Sequence, residues 1–493
     1  MSSQDATGVV TLEQQPMLID GQWVAAVDDQ WLAVESPGTR TEFAQIPRAG
    51  AADVDLAVAA AGRALPAWRA LPPRERGAAF RRAADVLEPE VERIARLLSR
   101  ENGNAIRTQS RGEVAFVIDC FRYFAGLAGE TKGETIPLGE GTLDYTRREP
   151  IGVVGAIVPW NAPVMLSALK IAPALVTGNT MVLKVAEDAP LAVLAIVRIL
   201  EEFLPHGVLN VVTGLGAEVG EALTTHPGVA KLTFTGSTAV GRRVMEVASE
   251  RIVPTTLELG GKSPQIVFPD ASDDRVVDGV IAGMRFFRQG QSCTAGSRLF
   301  VHEKVLDSFV DALVAKLRTF TVGDPLDEAT DIGSIVNRKQ FDKVFDYIQD
   351  GIDQPRSVVA LGGLPPQEGP LAAGYFVEPT VFTGVSNDWR IAREEIFGPV
   401  VSVIPWREEE EVLRMANDTH YGLAAFVWSR DIGAALRTAH AVEAGWVQVN
   451  QGGGQVLGQS YGGMKASGLG REFSLEGMLD SYTQRKHISV SLR

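Results

Sequence analysis

The stretch IGVVGAIVPWNAPVMLSALKIAPALVTGNTMVLKVA, Ile151 to Ala186, decides the fold. It contains a short continuous apolar run, then a run with helical spacing that ends at Gly178, then a second continuous apolar run. Strands that are covered on both faces have continuous apolar sequences, and a helix is the usual connection between two parallel strands. We therefore predict a strand, a helix and a second, parallel strand here.

The same alternation continues up to Leu259. It predicts a helix with Asp188 at its N-cap and Pro190 in its first turn. The segments that follow it are GVLNVVTG (strand), AEVGEALTTH (helix), VAKLTFTG (strand), STAVGRRVMEVASE (helix) and PTTLEL (strand). This succession predicts an α/β fold with a Rossmann-like doubly wound parallel sheet. Beyond Gly261 the alternation starts again, which predicts a second α/β domain.

Other patterns occur outside these two regions. We predict that the first third of the chain is largely helical, because apolar residues recur at three- and four-residue spacing up to a stop at Gly103. At the other end, HISVSLR alternates apolar and polar residues, which predicts a strand that needs a sheet to join.

The composition excludes several classes of protein. The 493 residues carry a formal net charge of −14, whereas nucleic-acid binding requires a concentrated basic surface. No uncharged apolar run reaches the roughly 18–20 residues that span a membrane, and the first residues lack the features of a secretory signal. The two cysteines, Cys120 and Cys293, are too few for a disulfide framework. We therefore predict a cytoplasmic protein with neither nucleic-acid nor membrane partners.

Cys293 has an unusual setting for a cysteine. It lies in GQSCTAG, between two glycines and among small polar residues, whereas Cys120 lies in the apolar helical run FVIDCFRYFAG. A cysteine that only fills a core usually has apolar neighbours, and a reactive thiolate needs donors and access. The setting favours a reactive thiol at Cys293 and a structural one at Cys120.

Two glycine clusters are candidates for a phosphate site. TGLGAEVG begins at Thr213, and its third glycine, Gly220, comes one residue too late for the dinucleotide fingerprint. A turn with close helix packing is the better interpretation there. FTGSTAVG joins a predicted strand directly to a helix N-terminus, where free N–H groups favour a phosphate beside Gly236 and Ser237. An ordinary capped turn is the alternative.

Several motifs together resemble the aldehyde dehydrogenase superfamily, of the NAD(P)-dependent, non-acylating type. They follow the order of the family: PWN (Pro159–Asn161), LKVAE (Leu183–Glu187), FTGS (Phe234–Ser237), ELGGKSP (Glu258–Pro264), GQSCTAG (Gly290–Gly296), EEIFGPV (Glu394–Val400) and YGGMKASGLGRE (Tyr461–Glu472). The resemblance covers nearly the whole chain. It implies a discontinuous NAD-binding domain (1–130 and 150–261), a catalytic domain (262–470) and a small β oligomerisation element (131–149 and 478–493).

The resemblance also implies a mechanism. Cys293 would attack the aldehyde carbon, because hydride can leave only after that carbon becomes tetrahedral. The Asn161 side chain and the Cys293 backbone N–H would stabilise the oxyanion. Glu258 would be the general base that hydrolyses the resulting thioester, and its presence favours a free acid over an acyl-coenzyme A product. Lys170 would be a structural partner of the site or a member of a proton relay, and no metal is implied.

The implied cofactor is NAD rather than NADP. The carboxylate of Glu187 can accept hydrogen bonds from both ribose hydroxyls and would repel a 2′-phosphate. Val185 and Ala186 stand where many relatives have proline and serine. The full set of implied cofactor residues is Pro159, Trp160, Lys184, Glu187, Gly236, Ser237, Glu395 and Phe397.

The implied substrate tunnel is wide at its mouth, since bulky aromatic residues of many relatives are absent at Ala162, Leu169 and Gln455. Its glycine-rich segment, NQGGGQVLGQSYGG, indicates an unusually open or mobile loop. We therefore predict a bulky apolar aldehyde, aromatic or long-chain. The tunnel residues are Ala162, Leu166, Leu169, Phe287, Ser292, Thr294, Gly453, Gln455 and Tyr461. A semialdehyde whose carboxylate is anchored by Arg285 or Arg288 is the alternative, and so is simple solvation of these arginines.

The predicted function is NAD-dependent oxidation of an aldehyde to the carboxylic acid through a thiohemiacetal and a thioester on the cysteine. The alternatives are a semialdehyde dehydrogenase, an acylating enzyme that uses coenzyme A, and a non-catalytic NAD-binding scaffold. The resemblance further implies a homodimer or homotetramer, in which the C-terminal strand joins a sheet of the partner subunit.

Overall fold

The computed structural model of the chain describes residues 12–493. Up to residue 150 its strands are β1 (Glu13–Gln14), β2 (Met17–Ile19), β3 (Gln22–Val24), β4 (Trp31–Ser36), β5 (Thr41–Pro47), β6 (Thr135–Ile136) and β7 (Thr142–Pro150). The helices of this part are α1 (Ala51–Ala70), α2 (Pro73–Leu87), α3 (Val91–Asn102) and α4 (Arg111–Leu127). The predicted stop of α3 is confirmed, because Gly103 adopts a left-handed φ of 81° there.

The predicted helical character of this part holds only between residues 51 and 130, because strands lie on both sides of that range. Strands β2 and β3 form an antiparallel hairpin whose turn is Asp20–Gly21, with φ of 53° and 72°. Asp-Gly is a strong signal for such a turn, because both residues tolerate positive φ. The hairpin then extends the doubly wound sheet predicted between Ile151 and Leu259, which is called the cofactor sheet below, since β2 pairs with its strand Leu209–Val212.

The alternation predicted from Ile151 to Leu259 is confirmed. Its strands and helices are β8 (Val153–Ile157), α5 (Pro163–Val176), β9 (Thr180–Lys184), α6 (Leu191–Leu200), β10 (Leu209–Val212), α7 (Glu221–Thr225), β11 (Lys231–Thr235), α8 (Thr238–Arg251) and β12 (Thr255–Glu258). The five strands lie parallel in the order β12-β11-β8-β9-β10. The chain starts in the middle strand, β8, and winds outward first to one side and then to the other, which makes the sheet doubly wound.

The start of α6 differs from the prediction. Asp188 does not cap the helix, because the helix begins at Leu191 with Pro190 as the N-cap residue. The N–H groups of Leu191 and Ala192 donate to the carboxylate of Glu101 instead, at 2.6 and 2.9 Å. A side chain from α3 therefore caps this helix in place of a neighbour in the chain.

The second α/β sheet is also confirmed. Its strands and helices are β13 (Pro264–Val267), α9 (Asp274–Met284), β14 (Arg298–His302), α10 (Leu306–Leu317), α11 (Arg338–Ile352), β15 (Val358–Leu361), β16 (Thr380–Thr383), α12 (Arg390–Arg393), β17 (Val400–Trp406), α13 (Glu409–Asn417), β18 (Ala424–Trp428), α14 (Ile432–Ala441) and β19 (Trp446–Val449). The strands lie in the order β15-β16-β17-β14-β13-β18-β19, and only β15 pairs antiparallel within this sheet of the described chain.

The C-terminal part returns to the earlier sheets through β20 (Gly468–Leu469), α15 (Leu475–Tyr482) and β21 (Thr483–Ser491). Strand β20 pairs antiparallel with β12 and so belongs to the cofactor sheet, although it falls within the range predicted for the catalytic domain. The predicted terminal strand is present as β21, which pairs along its whole length with β7 of the same chain. None of the helices in residues 12–493 is long and apolar enough to cross a bilayer.

Candidate active site

The candidate site is a cleft at the carboxyl ends of the cofactor-sheet strands. Ile157 is in register with Lys184 on one side and with Phe234 on the other, and Thr235 is in register with Glu258. The ends of four strands are therefore level, and the winding direction changes beside β8, where ligands bind in doubly wound sheets. The cleft has a volume of about 1470 Å³ and also reaches Cys293 on the second sheet's side.

Cys293 is carried by the loop between α9 and β14. Gly290 precedes it with a left-handed φ of 64°, and a Cβ there would overlap the carbonyl oxygen of Gly398. This close approach explains why a glycine stands before the cysteine. The Cys293 side chain is half-buried, and its Sγ lies 3.6 Å from the hydroxyl of Tyr461. Burial raises the pKa of Cys293 to about 11, so the side chain is a thiol at neutral pH until a base removes its proton.

Asn161 lies in the loop between β8 and α5, and its side chain reaches the cysteine loop. Its Nδ2 donates to the backbone carbonyl of Gln291 at 2.9 Å. Since an amide nitrogen carries two hydrogens, this bond holds the side chain in place and leaves one N–H for a ligand. The geometry suits a donor to a developing oxyanion.

Glu258 is the last residue of β12, and its side chain is buried. Within residues 12–493, neither of its carboxylate oxygens has a hydrogen-bond partner. Burial raises the pKa of Glu258 well above its usual value, and the nearby negative charge of Glu472 raises it further. Glu472 itself forms a buried ion pair with Lys170, whose positive charge acts in the opposite direction on Glu258. A carboxyl in such surroundings can take and return a proton near neutral pH.

The residues predicted to hold the cofactor all line this cleft. Lys184 and Glu187 form an ion pair at 2.6 Å, and the backbone N–H of Gly216 donates to Glu187 at 3.4 Å. The Ser237 hydroxyl caps α8 by accepting from the N–H of Val240 at 3.4 Å. The glycine cluster that failed the fingerprint spacing also reaches the cleft, through Leu215, Gly216, Ala217 and Gly220.

Four features fit a dinucleotide in this cleft. Gly236 leaves the strand-to-helix turn without a side chain at the N-terminus of α8, where a phosphate is favoured. An ion pair of a lysine and a glutamate offers both a donor and an acceptor for ribose hydroxyls. The rings of Trp160 and Phe397 meet edge to face with centroids 5.4 Å apart, and the Glu395 carboxylate accepts from the N–H of Gly261 at 2.9 Å. The residues present therefore match the chemistry of NAD or NADP.

The predicted tunnel residues have different degrees of burial. Leu166 lines the cleft. Ala162, Leu169, Thr294 and Tyr461 are buried, and Phe287, Ser292 and Gln455 are half-buried. The Ser292 and Thr294 hydroxyls are 3.1 Å apart on either side of the cysteine, and the Phe287 ring packs against Phe320 with centroids 4.9 Å apart.

The two arginines near the cysteine are half-buried, and each is hydrogen-bonded within the protein. Arg288 lies 3.4 Å from the buried carboxylate of Glu113, and its Nε donates to Gln109. Arg285 donates to the Thr294 hydroxyl and to backbone carbonyls of Gly452 and Gly453. Both side chains are already engaged with the protein.

Sequence reasoning missed a buried lysine close to the site. Lys231 of β11 donates from Nζ to the Thr256 hydroxyl at 2.6 Å, and burial lowers its pKa to about 7. The positive charge of Lys170 lowers it further. The signal was present in KLTFT, because polar residues alternate with apolar ones in a strand that is buried on both faces.

Comparisons with known proteins agree with this geometry. The model of the Aldehyde dehydrogenase family matches residues 23–488. A long-chain-aldehyde dehydrogenase of an Acinetobacter species is 40% identical over 493 residues, which cover 99% of this chain and 97% of that protein. A hydroxyisobutyraldehyde dehydrogenase of Mycolicibacterium austroafricanum is 41% identical over 477 residues, which cover 97% and 94%.

Solved structures of related enzymes also match nearly the whole chain. The NAD+ complex of an aldehyde dehydrogenase from Bacillus cereus is 39% identical, with a TM-score of 0.94 and coverage of 98% of this chain and 97% of that one. An NADP-dependent enzyme of E. coli is 36% identical, with a TM-score of 0.94 and coverage of 97% and 98%.

Proposed function

Since the chain belongs to the aldehyde dehydrogenase family, we propose that it oxidises a bulky apolar aldehyde to the carboxylic acid with NAD, through a thioester on Cys293. The oxidation of aldehydes to acids is the activity of the family; the substrate, the preference for NAD and the residue roles are our proposal. One observation carries it: Cys293, Asn161 and Glu258 come from separate parts of the chain and line the same cleft.

The first half of the reaction needs a thiolate. With a pKa of about 11, the Cys293 thiol must first lose its proton to water in the open cleft before the sulfur attacks the carbonyl carbon. The sulfur–carbon bond then forms while the carbonyl oxygen becomes an oxyanion, which the free N–H of Asn161 stabilises. When bound, the nicotinamide supplies the hydride acceptor that turns this adduct into a thioester.

The second half hydrolyses the thioester. Glu258 takes a proton from water, the water oxygen attacks the acyl carbon, and the carbon–sulfur bond breaks to release the acid and restore the sulfur. The Lys170–Glu472 pair lies behind Glu258 and influences its pKa. Lys170 and Glu472 are both buried and hydrogen-bonded to each other, so they act on Glu258 through their charges.

The preference for NAD rests on Glu187. Its carboxylate lines the cleft beside Lys184, where a 2′-phosphate would bring a second negative charge close to it. Val185 and Ala186 are buried between the two partners of the ion pair.

The apolar substrate is supported by the aliphatic side chain of Leu166, which lines the cleft. The engagement of Arg288 by Glu113 removes one candidate anchor for a substrate carboxylate. A semialdehyde remains the second candidate, because Arg285 has no carboxylate within 4.0 Å of its nitrogens among residues 12–493. A homo-oligomer and a cytoplasmic location remain predictions, the former supported by the exposed outer edge of β21.

A substrate panel tests this proposal. NADH formation is measured with benzaldehyde, a long alkanal and succinic semialdehyde, each with and without coenzyme A. We expect the first two to be preferred and coenzyme A to have no effect. A preference of orders of magnitude for succinic semialdehyde would refute the apolar substrate. A rate that depends on coenzyme A would refute hydrolysis of the thioester. If none of the aldehydes is oxidised although NAD binds, a non-catalytic NAD-binding scaffold would be favoured.

A further inference from the structure

Arg285 is held in an unusual position directly after α9. Its φ is 61°, a left-handed conformation that a non-glycine residue adopts only when its surroundings impose it. Its Nε donates to the Thr294 hydroxyl at 3.3 Å, and its two terminal nitrogens donate to Gly452 and Gly453 carbonyls at 3.2 and 2.7 Å. One side chain therefore joins the residue after Cys293 to the glycine-rich loop.

The glycine-rich loop has few contacts of its own. Gly452 is buried, and a Cβ there would overlap the carbonyl oxygen of Gly279 on α9. Gly453 and Gly454 are exposed, and a Cβ added at either position would have no neighbouring atom within 4 Å among the described residues. The loop is therefore held by backbone contacts: the close packing of Gly452 against α9 and the hydrogen bonds from Arg285 to the loop carbonyls. Packed side chains do not hold it at Gly453 and Gly454.

The same loop leads back to the sulfur. Gln455 follows the glycines and is close enough to Tyr461 to lower the pKa of its hydroxyl. That hydroxyl lies 3.6 Å from the Cys293 Sγ. Arg285 thus contacts the chain on both sides of the thiol: Thr294, which follows Cys293, and the glycine-rich loop, which leads to Tyr461.

The charge of Arg285 has a second consequence. Within residues 12–493, no carboxylate lies within 4.0 Å of its nitrogens, so its positive charge is not neutralised by an ion pair. Arg288, Tyr461 and Cys293 are the titratable groups that face it. Around the sulfur, Tyr461 and Arg285 favour the thiolate, whereas Glu395 and Glu258 oppose it.

We propose that Arg285 is a positioning residue, which holds the Cys293 thiol against Tyr461 through Thr294 and the loop of residues 452–455 and supplies positive charge that favours the thiolate. The proposal rests on the proposed role of Cys293 as the nucleophile. It explains why an arginine occupies a strained position next to three consecutive glycines.

Alkylation of Cys293 by iodoacetamide tests the charge, and it needs no aldehyde. Rates are measured between about pH 6 and about pH 10 in a Cys120→Ala background, so that Cys293 is the only thiol. The variants are Arg285→Met and Arg285→Lys. Arg275→Met is the control, because Arg275 is an exposed arginine of α9, the helix that Arg285 follows. We expect Arg285→Met to move the profile to higher pH by about one unit, which lowers the rate at a fixed pH about tenfold. Arg285→Lys and added guanidinium should restore much of the rate, and Arg275→Met should match the parent.

Steady-state kinetics test whether the hydrogen bonds of Arg285 position the thiol. Arg285→Lys keeps the charge but cannot reach two carbonyls and a hydroxyl at once. We therefore expect a reduced kcat/KM for the aldehyde in this variant, with an unchanged affinity for NAD. An Arg285→Met enzyme that alkylates with the parent's pH profile overturns the proposal. If that variant does not fold, an Arg285→Lys enzyme with the parent's kcat/KM overturns it.

The two proposals fail in different ways. A parent enzyme that oxidises no aldehyde, yet shows the shifted alkylation profile in Arg285→Met, refutes the proposed function and supports the role of Arg285. If the parent enzyme oxidises aldehydes, and substitution of Arg285 changes neither the alkylation profile nor kcat/KM, the proposed function is supported and the role of Arg285 is refuted.

Discussion

Gly261 and Cys293 are packed so closely that a Cβ on Gly261 would overlap the carbonyl oxygen of Cys293. Gly261 lies three residues after Glu258, so this contact joins the strand that carries the carboxylate to the loop that carries the thiol. The relative position of the two groups therefore depends on the absence of one side chain.

Gly261→Ala should displace the cysteine loop. Overpacking at such a contact costs about 1–3 kcal/mol, and a shift of about 1 Å in a reacting group can cost about 100-fold in rate. We expect a fall in kcat of at least about tenfold, measured with a good aldehyde substrate. Gly126→Ala is the control, because Gly126 is an exposed position in α4 with free space around it. This variant should gain about 0.5–1 kcal/mol of folding stability. Equal activity of the two variants would show that the contact is not tight.

Cys293→Ala should abolish aldehyde oxidation and leave NAD binding intact, because the sulfur is needed for the covalent step only. NADH formation and cofactor titration measure the two effects. Cys120→Ala is the matched control. Cys120 is buried in α4 and away from the cleft lining, so this variant should keep nearly full activity. Significant turnover in Cys293→Ala would rule out a thioester on this residue.

Glu258→Gln should uncouple the two halves of the reaction. Because water can take the thiol proton, rapid mixing should show one burst of NADH per active site followed by a steady rate at least about 100-fold lower, since hydrolysis lacks its base. If no burst appears, Glu258 is also the base for thiol deprotonation. Glu250→Gln, an exposed change on α8, should behave as the wild type. Wild-type steady turnover in Glu258→Gln would remove the residue from the mechanism.

Glu187→Gln should reduce the preference for NAD. The change removes the negative charge that would oppose a 2′-phosphate, while the neighbouring Lys184 stays in place. We expect the ratio of kcat/KM for NAD to that for NADP to fall about tenfold or more, equivalent to about 1.4 kcal/mol. Glu218→Gln is a nearby control, because Glu218 pairs with Arg48 at an exposed site. An unchanged ratio would place the discrimination elsewhere.

Glu101→Gln should change how stability depends on pH. Burial raises the pKa of Glu101 from 4.5 to about 8, so between these values the folded protein holds a proton that the unfolded chain has released. Raising the pH through this window therefore weakens the fold, by up to a few kcal/mol at about 1.4 kcal/mol per pKa unit. Glutamine cannot lose a proton, and the unfolding midpoint of the variant should decline less between about pH 5 and about pH 8. A parallel decline in both proteins would contradict this account, and Glu202→Gln at an exposed position should leave the wild-type slope unchanged.

Much of the fold could be predicted, because the continuous apolar strands from β8 to β12 and the glycines between elements are local signals. The helix cap at Leu191 could not, since its acceptor is Glu101, about ninety residues away in the chain. The β2–β3 hairpin was missed because strands of three residues give almost no periodicity, although Asp20–Gly21 was a usable turn signal.

In the candidate site, too, some features could be predicted from local sequence and others could not. Motif order brought Cys293, Glu258 and Asn161 together as expectations, and the structure places them on one cleft. The contacts that tune them were not predictable from local sequence. From the sequence, Arg285 was interpreted as a solvated arginine or as an anchor for a substrate carboxylate. Its actual partners, Thr294 and the glycine carbonyls, come close to it only when the loop is folded.

The outermost strands of the cofactor sheet, Gln22–Val24 at one margin and Gly468–Leu469 at the other, come from segments more than four hundred residues apart. The nucleotide-binding unit is therefore not a module that can be cut out between residues 150 and 261. A fragment with those limits would leave both lateral strands, β10 and β12, with bare backbone along their outer sides, a template for association with other chains. Completion of this sheet has to wait until Gly468–Leu469 has been synthesised.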